Sequence, residues 1–279
     1  MTPTRPHPFE RCGFGALSDL HTAGWREAYS ALEAAQDRFL ANEAEFRSAD
    51  YRWPRDALRW WSRVWEYPYA MHHLRAWRAR ATSSTPLVVD LGSGVTFFPF
   101  EVARLGCDVA CLDIDPVAGR DLGRAAAVTD AAPGRVGFRQ VSGRALPLAD
   151  GEADAVYCVS VIEHVPDFAG MVAEVARALR PGGLFVVTVD VDLMGGPTLG
   201  VAQLRDFFAA VHERFEPLLP EIPVHPLDLL VSDTGPFPWR IPPFGVERQV
   251  RNVVRRLRGR PLRADPRLAV HGMALARRA

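Results

Sequence analysis

The sequence predicts an α/β protein built on a doubly wound, mostly parallel sheet, and three observations carry that expectation. Leu87 to Asp115, LVVDLGSGVTFFPFEVARLGCDVACLDID, runs in the order strand, glycine turn, helix, strand, acid. Ala155 to Ser160 and Leu184 to Val189 are short apolar runs on either side of a segment with helical period. Leu268 to Arg277, LAVHGMALAR, reads as a final strand that returns after a long non-core stretch. Near-continuous apolar strands are what a sheet covered by helices on both faces requires.

The first 80 residues have a different character and are expected to form a helical cap, residues 1–80. Six of the seven tryptophans lie there. The pattern predicts helices over Trp25 to Arg47, Pro54 to Glu66 and Pro68 to Arg80, with Pro68 interrupting a continuous helix because it has no N–H to donate. Packing of the tryptophans on the sheet is one role for this cap. A second is that Trp60, Trp65, Tyr67, Tyr69, His72 and His73 line an acceptor pocket, since aromatic rings supply shape and stacking.

The core is expected over residues 81–193. Leu87 to Leu91 forms its first strand; Gly92 and Gly94 let the backbone turn sharply, and Pro99 and Glu101 suit the first turn of a helix closed by Gly106. Asp113 lies 21 residues after Gly92, at the tip of the second strand, where an acid can accept hydrogen bonds from two ribose hydroxyls. Asp167 caps a helix whose apolar face is Phe168, Met171, Val172, Val175, Ala176 and Leu179, and Arg180-Pro181-Gly182-Gly183 ends it.

Beyond the core, residues 194–266 are expected to be a proline-rich lid or acceptor-side insertion that follows a helix over Val201 to Phe215. Val246, Val250, Val253, Val254 and Leu257 make a helical stripe accompanied by Arg248, Arg251, Arg255 and Arg258, which reads as a solvated basic face, an anion site or, least in keeping with net neutrality, a membrane-surface or nucleic-acid contact. Residues 267–279 complete the sheet.

The turn narrows the ligand. A dinucleotide fingerprint would carry a third glycine where this chain has Phe97, and the Asp90 carboxylate would repel a pyrophosphate but suits a ligand bearing positive charge. The whole stretch resembles the nucleotide-binding motif of the class I, Rossmann-like S-adenosylmethionine-dependent methyltransferases. The resemblance extends through VSGRALP (Val141 to Pro147), Val161-Ile162-Glu163-His164-Val165-Pro166-Asp167 and LRPGGLFVV, covering roughly Pro86 to Asp190. Two positions depart from it: Thr96 stands where many relatives have glycine, and Ser142 where many have aspartate.

What the resemblance implies is S-adenosyl-L-methionine as cofactor, with Asp90, Gly92 and Gly94 around its methionine moiety, Asp113 on the ribose, and Ile114, Ser142 and Arg144 flanking the adenine. Ser160, at the end of the fourth core strand, approaches the methionine end. His164 is a candidate general base, although a structural hydrogen bond suits the Glu163-His164 pair as well. Asp190 and Asp192 form a second candidate pair for acceptor contact, and Asp192 joins His164 as a catalytic candidate. The acceptor is expected to be a small polar molecule, with a saccharide or natural-product hydroxyl as the leading reading. Two alternatives stand beside it: use of the same cofactor for intramolecular, non-methyl chemistry, and a non-catalytic methyltransferase-like partner protein.

Composition excludes other classes. Lys+Arg and Asp+Glu number 33 each, so the formal net charge is zero, and no nucleic-acid partner is expected. Every basic residue other than histidine is arginine; the absence of lysine removes Schiff-base chemistry and a P-loop lysine. Cys12, Cys107, Cys111 and Cys158 show no metal-ligand spacing, and no metal is expected. No apolar run reaches the ~20 residues of a membrane span, which with the lack of a leader pattern predicts a cytoplasmic protein, compatible with a homo-oligomer.

Overall fold

The computed structural model describes residues 7–194, 199–239 and 267–279. Its sheet contains β1 (Gly13–Phe14), β2 (Leu87–Leu91), β3 (Asp108–Asp113), β4 (Arg135–Gln140), β5 (Ala153–Val159), β6 (Leu179–Asp192), β7 (Phe215–Pro217) and β8 (Leu268–Arg277). The order across it is β4, β3, β2, β5, β6, β8, β1, with β7 also on the outer edge of β8. Strands β4 to β6 are parallel; β8 runs antiparallel beside β6, from Leu184↔Ala276 to Asp192↔Leu268. The order reverses at β2, so β2 and β5 diverge toward opposite edges, and ligands of such sheets sit beyond the carboxyl ends of the strands at that point.

Successive residues of each strand feed two cores. Val88, Cys111, Tyr157 and Val186 pack under α1 (Ala23–Ala41), α3 (Arg63–Arg78), α4 (Phe98–Ala103) and α5 (Pro116–Val128). Val89, Leu112, Cys158 and Val187 pack under α6 (Phe168–Ala178) and α7 (Val201–Arg214) on the other face. Two-residue alternation thus converts continuous apolar strands into a three-layer sandwich. The four cysteines are free and buried.

Several boundaries fall where the sequence puts them. Strand β2, the end of β3 at Asp113, α7 and β8 match to within a residue, and the Asp167 side chain caps α6 by accepting from the Gly170 N–H at 3.0 Å. The strand after α6 begins earlier than expected: β6 starts at Leu179, and its pairing with β5 shifts register between Ala153 and Ala155, so the Pro-Gly-Gly segment is accommodated as an irregularity within the strand. Strands β1 and β7 carry too few residues for a sequence pattern to reveal.

The cap departs most from expectation. The first helix ends at Ala41, and the short α2 (Glu43–Phe46) follows Asn42. Residues 48–62 are turns rather than a helix. Helix α3 then runs unbroken through Pro68. The carbonyl that Pro68 cannot satisfy, that of Val64, accepts instead from the Trp25 indole Nε1–H at 2.8 Å. A side chain on α1 replaces the missing intrahelical donor, which removes the main reason for Pro68 to break the helix. The cap is pinned again at Asp19, whose Oδ2 receives the Trp65 indole N–H at 2.8 Å and the Ala16 N–H at 3.0 Å.

Within the proline-rich segment, residues 218–239 are irregular, with one 3-10 turn at Pro226–Asp228. The expected Val246 to Leu257 stripe and its arginines lie outside the described residues. No helix of the described residues is long and apolar enough to cross a membrane.

Candidate active site at the carboxyl ends of the strands

The glycine turn after β2 is held by its own backbone and by the cap. Gly92 has φ +77° and Gly94 φ +52°, both in the left-handed region. A Cβ on Gly92 would lie 2.5 Å from the Val161 methyls, and one on Gly94 would lie 3.0 Å from the Tyr51 hydroxyl. Both therefore need glycine for conformation and for space. The Tyr51 hydroxyl accepts the Val95 N–H at 2.9 Å, and Arg47 Nη1 donates to the Val95 carbonyl at 3.2 Å. The Arg47 guanidinium lies 4.5 Å from the Tyr51 ring centroid, a cation–π contact that fixes both side chains. Residues 47–51 thereby brace the turn, a role that no local sequence motif announces.

Asp113 stands at the tip of β3, partly buried. Its Oδ2 accepts the Gly94 N–H and its Oδ1 the Asp115 N–H, both at 2.9 Å. Each carboxylate oxygen keeps a second lone pair for a ligand. Next to it, Ile114 is 76% exposed, an isolated apolar surface where the resemblance puts an adenine. Across from it, Ser142 and Arg144 are exposed on the loop after β4, and Arg144 Nη1 reaches Asp167 Oδ2 at 3.5 Å. That loop and the start of α6 enclose a groove of about 480 Å³ lined by Gly143, Arg144, Val165, Pro166 and Met171.

Asp90 lies deeper, 6% exposed. Burial, with the nearby Asp113 charge, pushes its carboxyl up to about 8. A carboxyl in that condition is neutral or poised at physiological pH until a positive group arrives.

A second polar cluster occupies the ends of β5 and β6, where α3 crosses them. Ser160 is the one non-glycine residue with positive φ among the described residues, at +47°. Its Oγ donates to Glu66 Oε1 at 2.6 Å and lies 3.3 Å from Asp190 Oδ1. Thr188 Oγ donates to the same Glu66 oxygen at 2.5 Å, and Arg63 pairs with the other oxygen. Glu66 is fully buried, yet both of its oxygens are satisfied. This network holds Ser160 in a conformation that ordinarily costs about 1–3 kcal/mol.

Glu163 Oε1 accepts the Asp190 N–H at 3.0 Å, so the acid of the Glu-His pair ties the loop after β5 to β6. Its Oε2 is buried without a hydrogen-bond partner. Burial and then Asp190 raise the Glu163 carboxyl well above its usual range; burial and then Glu66 raise Asp190 to about 8. His164 is exposed beside this cluster, and its imidazole is pushed down by desolvation and by Arg63, which favours the neutral, proton-accepting form. Among the described residues no cluster of His, Cys, Asp and Glu has the arrangement of a metal site.

The structure therefore brings Asp90, Gly92, Gly94, Asp113 and Ile114 together at β2 and β3, and Ser160, His164 and Asp190 at β5 and β6. Asp192 lies two residues further along β6, fully buried, with Oδ1 accepting the Met194 N–H at 2.8 Å. His72 and His73 sit apart from the site: His72 stacks on His7 with centroids 4.1 Å apart, and His73 lies edge-on to Tyr69. Of the cap residues proposed from sequence, Tyr67 reaches the site side, where Arg63, Asp90 and Glu66 all act on its hydroxyl. Sequence reasoning missed Arg63, Glu66, Tyr51 and Arg47; the i,i+3 spacing of Arg63 and Glu66 was the only available signal.

Residues 89–187 match the family model described as "Methyltransferase domain". An uncharacterised methyltransferase of Mycobacterium sp. (strain JLS) is 38% identical over 130 residues, 45% of this chain and 48% of that protein. The chain thus spans about half the length of the curated relatives it matches. A geranyl diphosphate methyltransferase solved with S-adenosylmethionine shares the fold at TM-score 0.53 and 18% identity, covering 96% of this chain and 98% of that one. The cyclase SpnF does so at TM-score 0.53 and 18% identity, covering 89% and 94%. The match of the model falls on the segment that builds the glycine turn, Asp113 and Ser160, and the sheet order agrees with the Rossmann-like fold of the class I S-adenosylmethionine-dependent methyltransferases that the neighbours share.

Proposed function

We propose that the protein is a methyltransferase that binds S-adenosyl-L-methionine across the tips of β2 and β3 and transfers its methyl group to a small polar acceptor held at the tips of β5 and β6. The observation that carries this reading is Asp113: a partly buried acid at the end of the second core strand, braced by the Gly94 and Asp115 N–H groups, with the exposed Ile114 beside it. The donor set suits the cofactor. Asp113 would take the ribose hydroxyls, Ile114, Ser142 and Arg144 would flank the adenine, and Asp90, Gly92, Gly94 and Ser160 would surround the methionine end, where the Asp90 carboxyl lacks a positive partner among the described residues.

When bound, the cofactor supplies a methyl carbon already activated by its sulfonium. The chain's task is then to align a nucleophile, exclude water and accept a proton, and alignment alone can lower a barrier by roughly 7–11 kcal/mol. The cap supplies the cover, since α3 crosses the site and carries Arg63, Glu66 and Tyr67. His164 and Asp190 are the groups at the acceptor side that can accept a proton; Asp192, turned to the Met194 N–H, is a positioning residue for the end of β6 in this reading.

Calorimetric titration with S-adenosylmethionine and S-adenosylhomocysteine tests it. Micromolar binding of both is expected, with a loss of at least about 100-fold in Asp113→Ala, the cost of two charge-assisted hydrogen bonds at about 1.5 kcal/mol each. Absence of binding by the folded wild-type protein would overturn it. Because SpnF, a cyclase by its description, is built on the same fold, product analysis is the arm that separates methyl transfer from other use of the cofactor.

A further inference from the structure

We propose that Tyr157 is a positioning residue for the cofactor half of the site: its hydroxyl is the donor that Asp90 takes up on giving away its proton, which couples cofactor binding to proton release. This rests on the methyltransferase reading above and adds to it how the chain holds a buried acid ready for a positive ligand.

The strand register puts the two residues side by side. Asp90 on β2 pairs with Tyr157 on β5 and, on its other flank, with Cys111 on β3. Neighbouring strands lie about 4.8 Å apart, and residues in register send their side chains to the same face. Cys111, Asp90 and Tyr157 thus make one row across the middle of the sheet, on the face covered by α3 and α4. Phe98 of α4 meets the Tyr157 ring edge-on with centroids 5.3 Å apart, and Tyr67 of α3 stacks on Phe98 at 4.6 Å. All three members of the row are buried, so bulk solvent does not supply their hydrogen bonds.

Within this row one donor is unspent. Tyr157 Oη is buried and makes no hydrogen bond, which is costly for a hydroxyl, and the acid beside it in the register is Asp90. Burial acts most strongly on the Asp90 carboxyl and raises it; the Tyr157 hydroxyl comes next and draws it back down; Asp113 raises it further. No cation bears on it among the described residues. The other titratable neighbours are Cys111 on β3, Cys158 on β5 and Tyr67 on α3, each kept protonated by its own burial. Cys111 is a weak thiol donor with Ser93 as its hydrogen-bonding neighbour. Tyr157 is therefore the donor available to Asp90.

A hydroxyl bonds a carboxylate more strongly than it bonds a neutral carboxyl group. In the ligand-free protein Asp90, raised to about 8, keeps its proton at pH 7, and the bond from Tyr157 stays unformed. An ammonium brought beside the acid favours its charged form. The Asp90 O–H bond then breaks, its electron pair stays on oxygen and the proton leaves to solvent. One carboxylate oxygen faces the ammonium while Tyr157 Oη–H donates to the carboxylate. Tyr157 keeps its own proton and acts only through Asp90.

The first measurement needs no cofactor. In the full ligand-free chain the carbon-13 resonance of the Asp90 carboxyl should titrate near pH 8, and in Tyr157→Phe about one pH unit higher, because a donor to the charged form is lost. Phenylalanine keeps the ring against Phe98, and unchanged melting at pH 5, where Asp90 is protonated in both proteins, would show that the variant folds. Cys111→Ala, on the other flank of the row, should leave the titration in place. The second measurement is S-adenosylhomocysteine binding by calorimetry at pH 7 and pH 9, each in two buffers. Wild type should release close to one proton per ligand at pH 7. Tyr157→Phe should bind about tenfold more weakly at pH 7 and within about twofold of wild type at pH 9, where much of its Asp90 has ionised. A merely structural role would cost the same at both. An Asp90 titration unmoved in Tyr157→Phe, an equal upward move in Cys111→Ala, an affinity loss of one size at both pH values, or no proton release by wild type would overturn the inference. Absence of S-adenosylhomocysteine binding would strike the methyltransferase reading instead, and the ligand-free titration would still judge the contact of Tyr157 with Asp90.

Discussion

The two halves of the site are built in opposite ways. At the tips of β2 and β3, the turn, the acid and the exposed apolar residue fall within one stretch of 25 residues, Asp90 to Ile114, and their geometry is fixed by backbone hydrogen bonds over short range. At the tips of β5 and β6, Glu66 meets Ser160 and Thr188 across separations of 94 and 122 residues. The first half is a local motif written in one place in the chain. The second is assembled by tertiary folding from a cap helix and two strands, so its chemistry is free to vary with the cap while the fold stays the same. A common cofactor and a private acceptor would require that division.

The sharpest way to break this comparison is at Glu66. Glu66→Ala removes the partner of Arg63 and the acceptor of two buried hydroxyls, and breaking a buried ion pair from one side typically costs about 3–5 kcal/mol. Urea unfolding should show a loss of that size, with Glu66→Gln losing less because its carbonyl oxygen still accepts from Ser160. Because Ser160 depends on Glu66 for its positive φ, S-adenosylhomocysteine affinity should also fall in the alanine variant. If it does not, the acceptor half is uncoupled from the cofactor half.

A smaller effect sharpens it by pH. Asp90 has an unfolded value of 3.8 and a folded value of about 8, and Asp190 is raised in the same direction. A group raised on folding contributes stability that is fully present below its unfolded value and is lost as pH rises through the folded one. The ligand-free protein should therefore lose stability from about pH 4 to pH 8, with a slope approaching about 1.4 kcal/mol per pH unit for each proton involved. Thermal melts should show that Asp90→Asn and Asp190→Asn each remove part of the slope. S-adenosylhomocysteine should flatten the Asp90 share and leave the Asp190 share; flattening of both would merge the two halves into a single site.

What the sequence made legible follows the same division. Strand β2, the acid at Asp113, the Asp167 cap and β8 were all readable, because each depends on periodicity or on a residue within a few positions of its partner. Helix α3 was not, because the donor to Val64 sits on another helix, 39 residues away, and local rules can only forbid a proline at position 68. Glu66 was unreadable for the same reason. A lone acid in a Trp-rich helix reads as a solvated face, and only the crossing of α3 over β5 and β6 makes it fully buried. The brace of Arg47 and Tyr51 on the glycine turn likewise depends on a chain reversal that no short pattern encodes.

Trp25 offers the mildest test, and the one most confined to the acceptor half. Its indole N–H replaces the hydrogen bond that Pro68 cannot make, and the ring stacks on Tyr29 with centroids 4.8 Å apart. Trp25→Phe keeps an aromatic ring on Tyr29 but leaves the Val64 carbonyl without its donor, at an expected cost of about 1–2 kcal/mol. The penalty falls one residue from Arg63 and two from Glu66, so the first effect should be local opening of α3, seen as faster amide exchange there. The Trp25 side chain bonds to Val64 and stacks on Tyr29, so S-adenosylhomocysteine affinity should stay within about twofold of wild type. Replacing Pro68 by alanine in the same variant should restore the lost stability, because the new N–H can bond the Val64 carbonyl in the ordinary helical way. Recovery would establish that the tryptophan is there to permit the proline. Failure to recover would mean that the ring itself, through its packing, carries the cap.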